Sequence, residues 1–206
     1  MNQNKKQSPK PISTITLPNS KKDSRFHLYL GSREDKYYFG KSPKNDENIP
    51  LLLNHCAFLF QNQKAFDNCV LIPEDLVFME KQIIVFTKFS RYNLSKNPGE
   101  FVNNNEIAKN IVQAMYYIHN MELTYTVTEE NVVLYEGKAY LAWVGLENSG
   151  KKHDDILQLG RILEILIGSN DIIDRMKNPN PYERPKINEV AKHFGLPCDE
   201  DEYESY

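Results

Sequence analysis

The chain has 206 residues, of which 40% are hydrophobic and 26% are charged, a composition typical of a soluble globular chain with one domain or two small lobes. Its formal net charge of −3 gives no reason to expect nucleic acid or an anionic membrane as the main partner. No apolar run approaches the roughly 18 residues that a membrane-spanning helix needs, and the polar residues after Met1 argue against a signal peptide.

Residues 1–11 are polar and contain two prolines, which predicts a flexible N-terminal arm. Strand signals dominate the next region, at residues 12–17, 26–30, 37–41, 70–78 and 83–89. One helix interrupts these strands at 51–60, because Ile49-Pro50 places a proline at the start of a long apolar run. The first part of the chain is therefore predicted to be strand-rich.

Helical periodicity replaces the strand pattern after Asn97-Pro98-Gly99. The first helix has one apolar face, formed by Ile107, Ile111, Ala114, Met115 and Ile118. Asn103, with Glu106 three residues later, predicts a capping box at its start. A second helix is expected to begin near Asp154 and Asp155, where negative charge is favourable, and to end at Gly168.

A β-hairpin is predicted between these two helices, from residues 132–134 and 139–142. A strand-rich region followed by a helix-rich region with one embedded hairpin predicts the α+β class. Residues 197–206 are rich in acidic side chains and are expected to form an acidic C-terminal tail.

The chain has three cysteines, Cys56, Cys69 and Cys198, which are widely spaced and form no Cys-x-x-Cys pair. An odd number at such spacing predicts neither a disulfide framework nor a zinc site. We therefore expect no metal site at these residues and a reducing location, either cytoplasmic or nuclear.

The order of these elements resembles the bilobal protein kinase fold, and the resemblance extends from Leu17 to Phe194. It implies a strand-rich N-lobe at residues 12–89 and a mainly helical C-lobe at 90–196. The segments 172–176 and 187–194 are similar to the family's closing helices. Only nine residues, 146–154, separate Gly145 from Asp155, so an activation segment and part of the C-lobe are expected to be missing.

The nucleotide-binding features of the family are altered. Its Gly-x-Gly-x-x-Gly loop closes over the ATP phosphates, whereas the corresponding residues 18–24 contain no glycine. Lys41 stands at the position of the phosphate-anchoring lysine, but His55 occupies the place of the glutamate that pairs with it. The alternative interpretations are that Lys41 is a solvated strand-end lysine and that His55 is a structural histidine.

The catalytic positions are altered as well. Thr124-Tyr125-Thr126 stands at His-Arg-Asp, so Thr126 replaces the carboxylate that accepts the substrate proton. Trp143-Val144-Gly145 stands at Asp-Phe-Gly, so Trp143 replaces the carboxylate that binds magnesium. Asn131 keeps its type, but it is a weak magnesium ligand without that carboxylate, and it is alternatively a residue that hydrogen-bonds its own turn.

Two further residues correspond to structural positions of the family. Asp155 stands where the family's aspartate braces the backbone of the catalytic loop. Arg184 stands where an arginine pairs with a glutamate of the Ala-Pro-Glu sequence, which this chain lacks. The resemblance therefore implies that these two positions belong to the frame of the fold.

These features are similar to those of a pseudokinase, which implies a chain that is not an enzyme, uses no cofactor and binds a protein, such as an active kinase or its substrate. One alternative is a nucleotide-binding switch that depends on Lys41. Another is an atypical nucleotide-dependent transferase with metal ligands from Asn131, Glu147 or Asp154. Surface candidates for a partner are Lys21-Lys22, Lys151-Lys152 and the tail with Tyr203 and Tyr206.

Overall fold

The computed structural model describes residues 13–16, 26–45, 47, 49–79, 82–144 and 150–198, with only the backbone at 13–16. The predicted arm, the segment 18–24 with Lys21-Lys22, and the residues Gly145, Glu147, Tyr203 and Tyr206 lie outside the described residues. The chain divides into two compact units. The first contains residues up to Leu53 together with Pro73–Phe89, and the second contains Asn54–Ile72 and the residues from Ser90 onward.

The first unit is built on an antiparallel five-stranded sheet in the order β1-β2-β3-β5-β4. Its strands are β1 (Ser13–Thr16), β2 (Phe26–Arg33), β3 (Lys36–Pro43), β4 (Asp75–Met79) and β5 (Gln82–Lys88). A small core forms from Tyr29, Tyr38, Ile84 and Phe86. Gly40 faces Phe86 across the β3–β5 pair, and a Cβ at Gly40 would lie 2.6 Å from the Phe86 ring. A glycine is therefore required there by the close approach of that ring.

The strand predicted at residues 70–78 is wrong in its first half. Strand β4 begins only at Asp75, whereas Val70 and Leu71 run beside the end of the hairpin in the second unit. The Leu71 N–H donates to Leu141 O at 2.9 Å, and the Leu141 N–H donates to Cys69 O at 2.9 Å. Pro73, which has no N–H to donate to a sheet, lies between the two paired stretches. The residues predicted as one strand therefore take part in two separate pairings, Val70 with Leu141 of the hairpin and β4 with β5.

The second unit is mainly helical and confirms the predicted helices and hairpin. Helix α1 (Ile49–Gln61) leads into α2 (Gln63–Phe66), α3 (Asn104–Asn120), α4 (Lys152–Ile167), α5 (Asp171–Met176) and α6 (Ile187–His193). A three-stranded sheet contains β6 (Tyr92–Asn93), β7 (Val132–Tyr135) and β8 (Lys138–Leu141). Ile111, Met115 and Ile118 of α3 and Leu159 and Leu163 of α4 are central to its core. Within the described ranges, no helix is both long and apolar enough to cross a membrane.

The helix ends only partly follow their sequence signals. Gly168 ends α4 with φ 77°, and its N–H donates to Glu164 O at 2.9 Å, as predicted. The capping box predicted at α3 is wrong, because Asn103 has a left-handed backbone with φ 61° and its side chain makes no capping hydrogen bond. The Glu106 N–H is instead satisfied by the Asn103 backbone carbonyl at 3.0 Å.

Candidate functional site

The loop between α3 and β7 is held from both sides by one buried tyrosine, Tyr125. Its backbone N–H donates to Asp155 Oδ2 at 2.9 Å, and its hydroxyl donates to Ala142 O at 2.7 Å. Both Tyr125 and Asp155 are fully buried. The prediction that Asp155 braces this loop is therefore confirmed, and the tyrosine hydroxyl adds a second link to the residue that follows β8.

A buried histidine at the end of α3 shares the same carboxylate. His119 Nε2 lies 3.0 Å from Asp155 Oδ2, and both side chains are buried. One carboxylate oxygen therefore receives the Tyr125 amide and contacts the imidazole. Because buried polar groups are expensive to leave unpaired, this three-residue cluster connects α3, the loop and α4 into one unit.

Lys152 ties the start of α4 to the end of α3. Its Nζ donates to His119 O at 2.9 Å and to the Glu122 carboxylate at 2.7 Å. The hydrogen bond from Lys152 lowers the pKa of the Glu122 carboxyl. A lysine that satisfies a C-terminal carbonyl of a helix has a structural role, so Lys152 has a function in the fold besides its candidacy as part of a surface for a partner.

Arg184 makes hydrogen bonds that connect its own segment to the start of α4. Its buried side chain donates from Nε to Asn178 O at 2.8 Å and from Nη1 to His153 O at 2.9 Å. Nη1 also lies 3.5 Å from the Asp154 carboxylate. This arrangement stabilises the segment between α5 and α6 against α4, and it engages Asp154, one of the candidate metal ligands.

Hydrogen bonds link the loop that carries Thr126 and Asn131 to Ala142, which precedes Trp143. The Ala142 N–H donates to Asn131 O at 2.9 Å, and Ala142 O accepts from Tyr125. Asn131 provides one of these acceptors, and Thr126 is the residue after Tyr125. Both Thr126 and Asn131 are partly buried. The Asn131 N–H donates to Thr128 O at 3.0 Å, as expected for a residue that supports its own turn.

Trp143 follows Ala142 and is buried, with 5% of its surface exposed. Its φ of 64° lies in the left-handed region, which costs an L-residue with a bulky side chain about 1–2 kcal/mol. A backbone in this conformation persists only where its surroundings hold it. The large ring therefore occupies a constrained site and does not lie on the surface.

Lys41 and His55 lie in different units and are both buried. Lys41 is in β3 between Leu28 and Val85, and its Nζ lies 5.4 Å from the centre of the Phe26 ring, within the range of a cation–π contact. The alternative of a solvated lysine is therefore wrong. His55 lies in the part of α1 that belongs to the second unit.

The three positions that correspond to the catalytic residues of the family carry side chains with little acid–base chemistry. The side chains at 126, 131 and 143 are a hydroxyl, an amide and an indole, and none of these accepts a proton near neutral pH. Across the part of the chain that the structure describes, no group of three His, Cys, Asp or Glu residues is placed to hold a metal ion.

Comparison with known proteins identifies the architecture. The crystal structure of the kinase domain of PknI from Mycobacterium tuberculosis, in a mutant form, matches with a TM-score of 0.58, covering 95% of this chain and 100% of that one. The chain has a protein-kinase-like fold. At 12% sequence identity, the match shows the kinase-like fold alone, and it confirms the predicted α+β class. No protein-family model and no curated protein sequence matches the chain.

The sequence did not indicate the residues that connect the candidate site to the neighbouring helices. His119 is 36 residues from Asp155, and Lys152 is 33 residues from the carbonyl that it binds. No local pattern marks such pairs. The only usable signal for His119 was its place at the end of an amphipathic helix, six residues before Tyr125.

Proposed function

We propose that this chain is a catalytically inactive kinase-like module that acts by binding another protein, such as an active kinase or its substrate. The observation that carries the proposal is the buried Trp143 at the position of the metal-binding carboxylate, in a fold that is otherwise kinase-like. In this proposal residues 12–89 form the N-lobe and 90–196 the C-lobe. A reducing compartment, cytoplasmic or nuclear, agrees with the three dispersed cysteines.

Energetic reasoning supports inactivity. Loss of a general base alone typically costs about 10²–10⁴ in rate, and Thr126 stands at that position. Phosphoryl transfer also needs a metal carboxylate and a lysine paired with glutamate, and Trp143 and His55 replace these residues. The nine residues 146–154 are too few for the segment that aligns a substrate peptide.

One of the three candidate metal ligands of an atypical transferase, Asp154, already has neighbours that can carry positive charge. Asp154 lies beside Arg184 and His153, and Arg184 also holds two backbone carbonyls. Recruiting Asp154 to a metal would thus compete with a contact that stabilises the fold. The alternative of a nucleotide-binding switch depends on Lys41 and is tested by the first prediction below.

We expect magnesium-ATP at millimolar concentration to leave the melting temperature unchanged. The indole of Trp143 offers no charge to compensate a metal or a phosphate. A ligand at 100 times its Kd would stabilise the chain by about 2.7 kcal/mol, which a melting curve detects. A clear shift that disappears in Lys41→Met would instead support the nucleotide-binding switch, and magnesium alone is the matched control.

We expect the variant with Thr126→Asp, Trp143→Asp and His55→Glu to have no protein kinase activity. Restored carboxylates do not restore positioning, on which phosphoryl transfer depends as much as on charge. Transfer of radiolabelled phosphate to a generic substrate, or to the chain itself, measures the outcome beside an active kinase domain as positive control. Transfer above the level of the parent chain would contradict the proposed inactivity.

The protein-binding function is tested by cross-linking in the native cell followed by affinity capture of the whole chain. We expect one protein to be cross-linked reproducibly at defined residues and to bind the purified chain with a measurable Kd. Capture without a defined cross-link, or a captured protein that fails to bind in purified form, would contradict the proposal.

A further inference from the structure

Helix α4 has one buried side and one exposed side. Its buried side enters the core of the second unit through Ile156, Leu159, Leu163 and Leu166. On an adjoining side, Gly160 lies against α5 so closely that an added Cβ would be 2.9 Å from Met176 Cβ. On the side away from the core, four residues spaced four apart are His153, Leu157, Arg161 and Ile165, which we call the α4 row.

The α4 row forms a ridge along the helix, of the kind that packs against a second helix. Residues four apart lie one above the other on a helix, and the twelve steps from His153 to Ile165 extend about 18 Å at about 1.5 Å per residue. Ile165 is 50% exposed, Arg161 is exposed, and His153 and Leu157 are partly exposed. The ridge therefore offers two aliphatic side chains separated by one arginine.

Tyr182 extends this surface at the N-terminal end of α4. It is 89% exposed, and its ring centre lies 6.2 Å from that of His153. Two side chains stabilise the turn that carries Tyr182. Asn180 Oδ1 accepts a hydrogen bond from the Tyr182 N–H at 3.2 Å. The Glu183 carboxylate accepts from the side-chain amides of Asn180 and Asn178, at 2.8 and 3.0 Å. The backbone that carries Tyr182 is therefore fixed, and a tyrosine offers a large contact area at low entropic cost because it has only two side-chain torsions.

The charge on this surface is not balanced. The two acidic residues beside the row have cationic neighbours: Asp154 lies 3.5 Å from Arg184, and Glu164 lies 2.6 Å from Lys177. Arg161 contacts only an uncharged acceptor, Gln158 Oε1, at 3.4 Å, and it forms no ion pair with any residue that the structure describes. An exposed arginine between two aliphatic side chains therefore favours a partner that supplies a carboxylate.

We propose that the α4 row and Tyr182 form a docking surface for an amphipathic α-helix of a partner protein. Apolar side chains of that helix pack against Leu157, Ile165 and Tyr182, and a carboxylate between them pairs with Arg161. Rows of residues four apart on one helix pack into the grooves of a neighbouring helix. This inference rests on the proposed protein-binding function and specifies the surface and the chemistry of the partner.

The test uses the whole chain and a phage-displayed library of helical peptides about 18 residues long, with random residues on one face. We expect selected peptides to carry a carboxylate beside apolar residues four apart. Arg161→Glu should weaken their binding about tenfold or more, because like charges then face each other, and exchanging the peptide carboxylate for lysine should restore it. Ile165→Asp should also abolish binding, whereas Val102→Asp, at a site 75% exposed before α3, should not change it.

Several results would overturn this inference. These are an absence of selected peptides, equal binding to Arg161→Glu, or an equal loss in Val102→Asp. Two other occupants are distinguished by further measurements on the full chain. Tighter peptide binding after replacing the five acids between residues 199 and 204 by serine would identify the chain's own tail, and concentration-dependent self-association abolished by Ile165→Asp would identify a second copy.

The failure of this inference and of the proposed function are distinguishable. If cross-linking in the native cell places a partner on residues away from α4 and Tyr182, the protein-binding function stands and the docking surface is wrong. If no partner that binds the purified chain is found, the proposed function itself is contradicted, whatever the peptides do.

Discussion

Replacing Asp155 by alanine is expected to lower the free energy of unfolding by about 2–6 kcal/mol, because leaving a buried polar group without its hydrogen-bond partner costs about 1–3 kcal/mol and two groups lose theirs. The change would leave the Tyr125 N–H and the His119 ring without their acceptor in a site that excludes water. Urea unfolding followed by circular dichroism measures this loss. Asp155→Asn, which keeps one acceptor oxygen, should lose less than alanine.

The matched control for this prediction is Glu122→Ala. Glu122 also pairs with a neighbour of the same cluster, Lys152, but it is fully exposed. Ion pairs of this kind contribute little, so the control should remain close to the parent in stability. Equal stabilities of Asp155→Ala and Glu122→Ala would show that the buried cluster does not support the second unit.

Replacing Trp143 by alanine is expected to destabilise the chain by about 3–5 kcal/mol, as for other large buried aromatic residues. Because φ is 64° at this position, Trp143→Gly should be about 1 kcal/mol less harmful than Trp143→Ala, which reverses the usual order of the two residues. Urea unfolding of both variants measures the difference. Phe78→Ala, at an exposed site in β4, is the control and should change stability little.

Trp143 is also the only tryptophan of the chain, so tryptophan fluorescence of the unmodified protein measures the burial of this one side chain. Its emission should be blue-shifted and weakly quenched by a polar quencher before unfolding, and red-shifted afterwards. A red-shifted, freely quenched native signal would contradict the burial on which the predicted loss depends.

Much of the helical region was predictable because its signals are local. The apolar face of α3 and the end of α4 at Gly168 follow from periodicity and turn residues within a few positions, whereas the segments of α5 and α6 were expected only from the resemblance to kinases. The bracing role of Asp155 was predictable for another reason, since the resemblance to kinases assigns a position and the aspartate is still present there.

The pairings that span long stretches of sequence were not predictable. Val70 seemed to continue into β4, but its partner is Leu141, 71 residues later, and no property of an apolar strand specifies which edge it joins. Asn103 had the right residue type for a cap, yet its left-handed backbone directs the side chain elsewhere. The choice between backbone conformations at such a position depends on tertiary packing.

The candidate site shows the same limit. The residue types at 126, 131 and 143 follow from the sequence. The burial of Lys41 against Phe26 and the carbonyl partners of Arg184 do not follow, because both depend on side-chain directions that neighbouring elements determine.

The bond from the Tyr125 amide to Asp155 makes one backbone proton a reporter for the second unit. Its acceptor belongs to α4, 30 residues later in the chain, so this proton is exposed to solvent only when the loop and the helix separate. Local fraying of α3 or of the β7–β8 turn would not release it. In hydrogen–deuterium exchange, the Tyr125 amide should therefore be among the slowest of the second unit and should exchange with the free energy of its global opening.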